Sequence, residues 1–198
     1  SMTSVEVNDG RSGDGIDLRR TTFSYAGLKA DRLHRASLGY AQVTETELDT
    51  AVTPAQPVRS TVHAYLNDNV FVAGLETSTT VIDVSNGGYI KGVKQTWTLR
   101  DVRDAGANLN ALDGVASLGY SLAPLLTQVV TEVGTGNPSG VGQSSTTNLT
   151  YSDLGDVIRQ VDLGEDDDPN DDVVADIIYS RCDISSTIGC ADDQPYAN

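Results

Sequence analysis

Polar and apolar residues alternate over short stretches along the chain, and that period predicts strands. From Arg59 to Leu66, Val62, Ala64 and Leu66 fall on one face and Thr61, His63 and Tyr65 on the other, before Asn67-Asp68-Asn69 supplies a turn. Val70 to Leu75 then reads as the returning strand. Thr79 to Val84 runs into Ser85-Asn86-Gly87-Gly88, where Asn-Gly tolerates positive φ at both turn centres. Tyr89 to Leu99 follows, with Val93, Trp97 and Leu99 on one side. Similar runs lie at Arg20 to Tyr25, Ser37 to Val43, Ala116 to Val133, Thr147 to Tyr151, Val157 to Asp162 and Val173 to Tyr179. Pro124 marks an edge or a bulge, because proline cannot donate to a ladder. Asp101 to Val115 is broken by Gly, Asn and Asp and predicts one short helix or a surface loop. No sustained helical stripe occurs, so the expected class is all-β, an antiparallel meander of short strands and hairpins with few helices.

Four sections are expected along the chain. Residues 1–19 read as a flexible N-terminal segment whose Ser1-Met2 looks like a cloning scar, which suggests an excised piece of a longer protein. Residues 20–133 carry the meander, 134–146 (GTGNPSGVGQSST) has loop composition, and 147–198 holds a strand, turn, strand unit with an acidic loop.

Charge narrows the partners. Among 198 residues, 13 Lys and Arg stand against 28 Asp and Glu, a formal net charge of -15. A nucleic-acid binder needs clustered cations to displace phosphate counterions, and an anionic membrane surface asks for the same, so neither is expected as a partner. No apolar run is long enough to span a bilayer, and the N-terminus lacks the charged-then-apolar pattern of a secretory signal, so no membrane insertion is expected. Residues 151–198 hold 13 acids and two bases, a net of -11, against -4 for the first 150.

The sharpest chemical feature is the loop Glu165-Asp166-Asp167-Asp168-Pro169-Asn170-Asp171-Asp172. Asp166, Asp168 and Asn170 have the first, third and fifth spacing of a calcium loop, which makes calcium the one cofactor candidate. Asp171 occupies the position that needs Gly, and Ile177 the position that needs a bidentate Glu; a solvated, self-repelling hairpin loop is the competing reading. Cys182 and Cys190 could close a small disulfide loop in an oxidising compartment, or stay as two free thiols. Catalytic motifs are missing: Gly136-Asn137-Pro138-Ser139-Gly140 fails as a nucleophile elbow, and the paired Gly-x-Gly segments do not make a dinucleotide fingerprint. Abundant carboxylates are no sign of a hydrolase by themselves.

The segment Leu149-Thr150-Tyr151-Ser152-Asp153-Leu154-Gly155-Asp156-Val157, continuing to Asp162, resembles the tyrosine-aspartate (YD) repeat of Rhs proteins. Tyr151, Gly155 and Asp162 carry the match; Ser152 stands where the repeat's Asp would be, and Asp156 where Asn or Arg is common. Phe23-Ser24-Tyr25, Arg32 to Val43, the Val62 to Gly74 hairpin and Asp162 to Tyr179 resemble the section of insecticidal toxin complex B components that joins the propeller to the Rhs shell.

The resemblance implies a bacterial, secreted toxin part. In that family the sheet coils into a hollow shell that encloses and delivers a toxic C-terminal polypeptide, and the shell's autocleavage uses an aspartate-rich motif that Asp168-Pro169 does not reproduce. The expected function is therefore a non-catalytic piece of shell wall, with the remainder of the parent shell and its enclosed toxin as partners. A secreted β-sandwich that binds a glycan or calcium is the alternative, and it requires two packed sheets; an acidic β-rich hydrolase ranks behind both.

Overall fold

The computed structural model describes residues 1–8, 18–101, 108–110, 122–138, 140–152, 154–165, 168 and 170–179. Thirteen strands follow in chain order: β1 (Ser4–Asn8), β2 (Leu18–Ala26), β3 (Lys29–Asp31), β4 (Ala36–Gly39), β5 (Gln42–Asp49), β6 (Gln56–Tyr65), β7 (Glu76–Asp83), β8 (Gly88–Asp101), β9 (Asn108–Asn110), β10 (Leu122–Gly134), β11 (Val141–Tyr151), β12 (Val157–Asp162) and β13 (Val173–Asp176). No helix occurs among the described residues. Every pairing is antiparallel, and all strands but two join one sheet in the order β1-β2-β5-β6-β7-β8-β10-β11-β12-β13, with β9 on β8. The all-β meander is what the alternating pattern predicts. β3 and β4 form a separate hairpin between β2 and β5.

The turn predicted over Ser85 to Gly88 is present one residue earlier, over 84–87, with Gly87 at φ 71° and Gly88 opening β8. Pro124 sits opposite Leu99 in the part of β10 that precedes its pairing with β11, so its missing N–H costs no ladder bond on that side. A bulge follows at Thr127, between Leu126 and Gln128.

Three local expectations need correction. Val70 to Leu75 is a loop, and β7 is the strand that pairs with β6. Asn69 Oδ1 accepts the backbone N–H groups of Phe71 and Val72 at 3.0 and 3.3 Å and Gly74 takes φ 83°, so the chain turns back and packs its apolar residues on the sheet instead of extending. The Gly/Ser-rich stretch is a loop only over 135–140; residues 141–146 already belong to β11, where pairing with β10 outweighs weak strand propensity. The segment taken as flexible before residue 20 contains β1, paired with β2 from Ser4↔Thr22 to Asn8↔Leu18.

Cross-strand partners share a face, so the register separates the two surfaces. One rung runs Tyr25, Val43, His63, Thr79, Val93, Thr131, Ser145; the next runs Phe23, Glu45, Thr61, Val81, Lys91, Val133, Gln143. On this face the 66–75 loop folds down, and Val72 packs on Leu99 and Leu122 with Leu66, Phe71, Leu75 and Trp97 around them. Trp97 Nε1 donates to the Glu76 carbonyl at 2.8 Å, and buried Asn67 donates to the carbonyls of Gly27 and Gly39 at 2.7 and 3.2 Å, which ties the β3–β4 hairpin to the same loop. The opposite face has rungs Ser24, Thr44, Val62, Thr80, Gly92, Glu132, Ser144 and Ala26, Gln42, Ala64, Ser78, Lys94, Val130, Thr146. Half of these fourteen positions are hydroxyl or amide and two more are charged, a composition that cannot form the dry layer of a sandwich.

Candidate functional site: the hairpin turn at Ser152 and the bare face

A hairpin turn joins β11 to β12 through Ser152 to Asp156. Gly155 takes φ 91°, a conformation that favours glycine, and its N–H donates to the Ser152 carbonyl at 3.0 Å. Ser152 N donates back to the Asp156 carbonyl at 2.8 Å, which closes the turn. Ser152 Oγ accepts from the backbone of both Leu154 and Asp156 at 3.2 Å. Serine thus holds the turn without placing a charge in a buried position. The carbonyl of Ser152 also accepts from Arg100 Nη1, a contact between residues 52 apart in sequence. Ser152→Ala leaves two turn donors without their acceptor and is expected to cost about 1–2 kcal/mol, whereas Ser152→Asp keeps an acceptor beside Arg100 and costs less. Denaturant unfolding of the two variants measures the difference.

Tyr151 donates its hydroxyl to the Leu126 carbonyl on β10 at 2.7 Å, beside the Thr127 bulge. Two further tyrosines donate to a backbone carbonyl of an earlier segment: Tyr179 to Val157 at 3.0 Å and Tyr25 to Met2 at 2.8 Å. Burial pushes the Tyr151 phenol up, which keeps it a neutral donor. Asp162, the trailing residue of the motif, accepts the Gly164 N–H at 3.1 Å and so starts the acidic loop. The three motif residues lie on one hairpin, Tyr151 and Gly155 at its turn and Asp162 at the far end of β12, opposite Thr147.

In the acidic loop, Asp166 lies outside the described residues. Asp168 and Asn170 turn toward each other: Asn170 donates its backbone N–H at 3.0 Å and its Nδ2 at 2.8 Å to Asp168 Oδ1. Those bonds hold the Asp168 carboxyl below the usual carboxylate range. Among the described residues no group of three His, Cys, Asp or Glu side chains is placed to hold a metal ion. Excess calcium is expected to leave the thermal midpoint unchanged; a clear rise would place an ion in this loop. Cys182 and Cys190 also lie outside the described residues.

Two polar clusters were not legible in the sequence, because each joins distant segments. On the dressed face His63 Nδ1 lies 2.6 Å from Glu76 Oε1 and 3.2 Å from Thr79 Oγ1, with Glu45 Oε1 3.9 Å from Nε2 and Tyr65 stacked beside the ring. On the bare face, buried Glu132 accepts from Lys94 Nζ at 2.5 Å and from the Tyr89 hydroxyl at 2.6 Å. The Lys94 ammonium, and then the Tyr89 hydroxyl, hold Glu132 below the usual carboxylate range, while burial pushes the Tyr89 phenol up to about 12. Glu132 therefore stabilises the fold above its ordinary value of 4.5, and that contribution is lost as pH falls through the depressed folded value. Tyr89 contributes below pH 10, and its share is lost as pH rises through about 12. Glu132→Gln is expected to flatten the acid limb of stability against pH, read by unfolding between about pH 3 and about pH 7; an unaltered limb contradicts the assignment.

Three ion pairs lie on the bare face, Arg20 with Glu6 at 2.5 Å, Lys94 with Glu132 at 2.5 Å and Arg159 with Asp176 at 3.1 Å, and Arg100 on the same face donates to the Ser152 carbonyl. These pairs leave the surface close to neutral although the chain carries -15.

No protein-family model and no curated protein matches the chain. Solved structures do. TcdB2-TccC3 without its hypervariable C-terminal region matches at 13% identity and a TM-score of 0.54, over 73% of this chain and 9% of that one. TcdB2-TccC3-Cdc42 matches at 13% and 0.55, over 77% and 9%. The Tc holotoxin pore of Photorhabdus luminescens matches at 13% and 0.53, over 73% and 9%. The chain shares its fold with a part of these toxin-complex proteins and spans a small fraction of their length. No helix among the described residues is long and apolar enough to cross a membrane.

Proposed function

We propose that this chain is a non-catalytic section of the β-sheet wall of a secreted Rhs-type toxin shell, in which it helps to enclose and deliver a toxic polypeptide. The observation that carries the reading is a single open sheet dressed on one face only. The 66–75 loop and the apolar cluster of Val72, Leu99 and Leu122 lie on one side, and the rungs of the other side offer small hydroxyl, amide and aliphatic groups with ion-paired charges. Such a surface gives an unfolded chain little to adhere to, since adhesion needs contiguous apolar area or a field of one sign. Among the described residues the order also ends on open strands, β1 and β13, which continuing wall on either side would cover. The fold shared with part of TcdB2-TccC3 supports the same reading. The sandwich alternative draws no support from a chain whose described strands make one sheet and one hairpin.

Cryo-electron microscopy of the full-length parent tests this. The expected result is further strands hydrogen-bonded to β1 and β13 and the hydroxyl-rich face turned to an enclosed space. A parent in which this sheet closes on itself, or in which that face packs on a second sheet, overturns it.

A further inference from the structure

The β3–β4 hairpin ends in Arg32-Leu33-His34-Arg35, all exposed, with Leu33 at 79%. Its base is fixed by the Asn67 bonds, by Lys29 paired with Asp68 at 2.6 Å and by buried Leu38. Its tip is also held in shape: Asp31 Oδ1 accepts the N–H groups of Leu33 and His34 at 2.8 and 3.2 Å, and Asp31 Oδ2 lies 2.6 Å from His34 Nδ1. Arg20, Lys29, Arg59, Lys94 and Arg159 each have a carboxylate partner. Arg32 and Arg35 have none among the described residues, in a chain of net charge -15. A pre-ordered leucine between two unpaired guanidiniums fits an acidic surface with an apolar footing, and little entropy is lost in presenting it.

The chain displays such a surface at the other end of the sheet. Glu165, Asp168, Asp171 and Asp172 are exposed next to Val173 at 61% and Ile178 at 72%. Seven inter-strand steps separate β5 from β13, about 34 Å along the sheet, so the hairpin of one molecule does not reach its own acidic end. We infer that the Arg32 to Arg35 tip docks on the β12–β13 end of a second copy of this chain. The contact joins two different surfaces, so it is head to tail and continues beyond a dimer. It rests on surface chemistry alone and stands or falls separately from the shell reading.

Sedimentation velocity of the whole chain over about a hundredfold range of concentration provides the test. At low salt the weight-average mass is expected to rise with concentration, and in high salt to return to that of the monomer. Arg32→Glu with Arg35→Glu is expected to weaken association at least about tenfold, as is Asp168→Lys with Asp172→Lys, while the four together restore it. Leu33→Asn, which keeps every charge, weakens it as well. A monomer at every concentration overturns the proposal. So does association indifferent to salt and to the tip, which is pairing through the open strands, and so does failure of the fourfold exchange to restore binding.

Discussion

Leu99→Ala is expected to lower the free energy of unfolding by about 3 kcal/mol, because it empties the centre of a very small core. Leu99 and Val72 are the largest side chains with no solvent exposure, and only Leu38, Val81, Leu122 and Leu125 join them as buried apolar residues among those described. The partners of Leu99 come from the 66–75 loop and from β10. Strand and loop cannot follow one another into the space left by three carbons, so the cavity term adds to the transfer term. A domain holds only about 5–15 kcal/mol in total, and this loss is a large share of it. Chemical denaturation measures it, and a change below about 1 kcal/mol would mean that the loop does not seal the sheet.

Gly134→Ala is expected to cost about as much for the opposite reason, an atom too many. A Cβ built on Gly134 overlaps the carbonyl of Tyr89 and comes within 2.9 Å of its ring. Tyr89 has little freedom to retreat: its N–H donates to Asn137 O at 3.0 Å, its carbonyl accepts from Gly136 N at 3.1 Å, and its hydroxyl is held by Glu132. Backbone must shift, and the expected loss is about 3 kcal/mol, with weaker protection of the Gly136 amide against hydrogen exchange. Gly136→Ala is the control. Its Cβ meets nothing within 4 Å, but its φ of 80° is strained for alanine, so about 1 kcal/mol is expected. Equal losses in the two variants would refute the overlap argument.

Local features of this fold were legible because they are written over a few consecutive residues. Asn86-Gly87 marks the β7–β8 turn, and Tyr151 to Gly155 marks a strand that ends in a left-handed turn. The errors came where one local pattern serves two structures. Val70 to Leu75 has the apolar content of a strand, yet the Asn69 side chain and Gly74 turn it into a loop. Val141 to Thr146 has the composition of a loop, yet β10 offers it a ladder. An apolar or polar run of six residues does not say whether a partner strand is waiting.

The candidate surfaces were less legible still. Ser152 meets Arg100 across 52 residues, Tyr89 meets Glu132 across 43, and Asn67 meets Gly27 across 40. All three separations are far beyond the few residues over which a local sequence pattern operates.

By itself the sequence determined the strand class, the turn glycines and the excess of acid near the C-terminus, since period, φ and charge belong to residues singly or to their near neighbours. Only the tertiary structure decided which face stays bare, why its charges cancel and where the small core lies. Those properties depend on register across strands, and register is set by the sum of all pairings in the sheet.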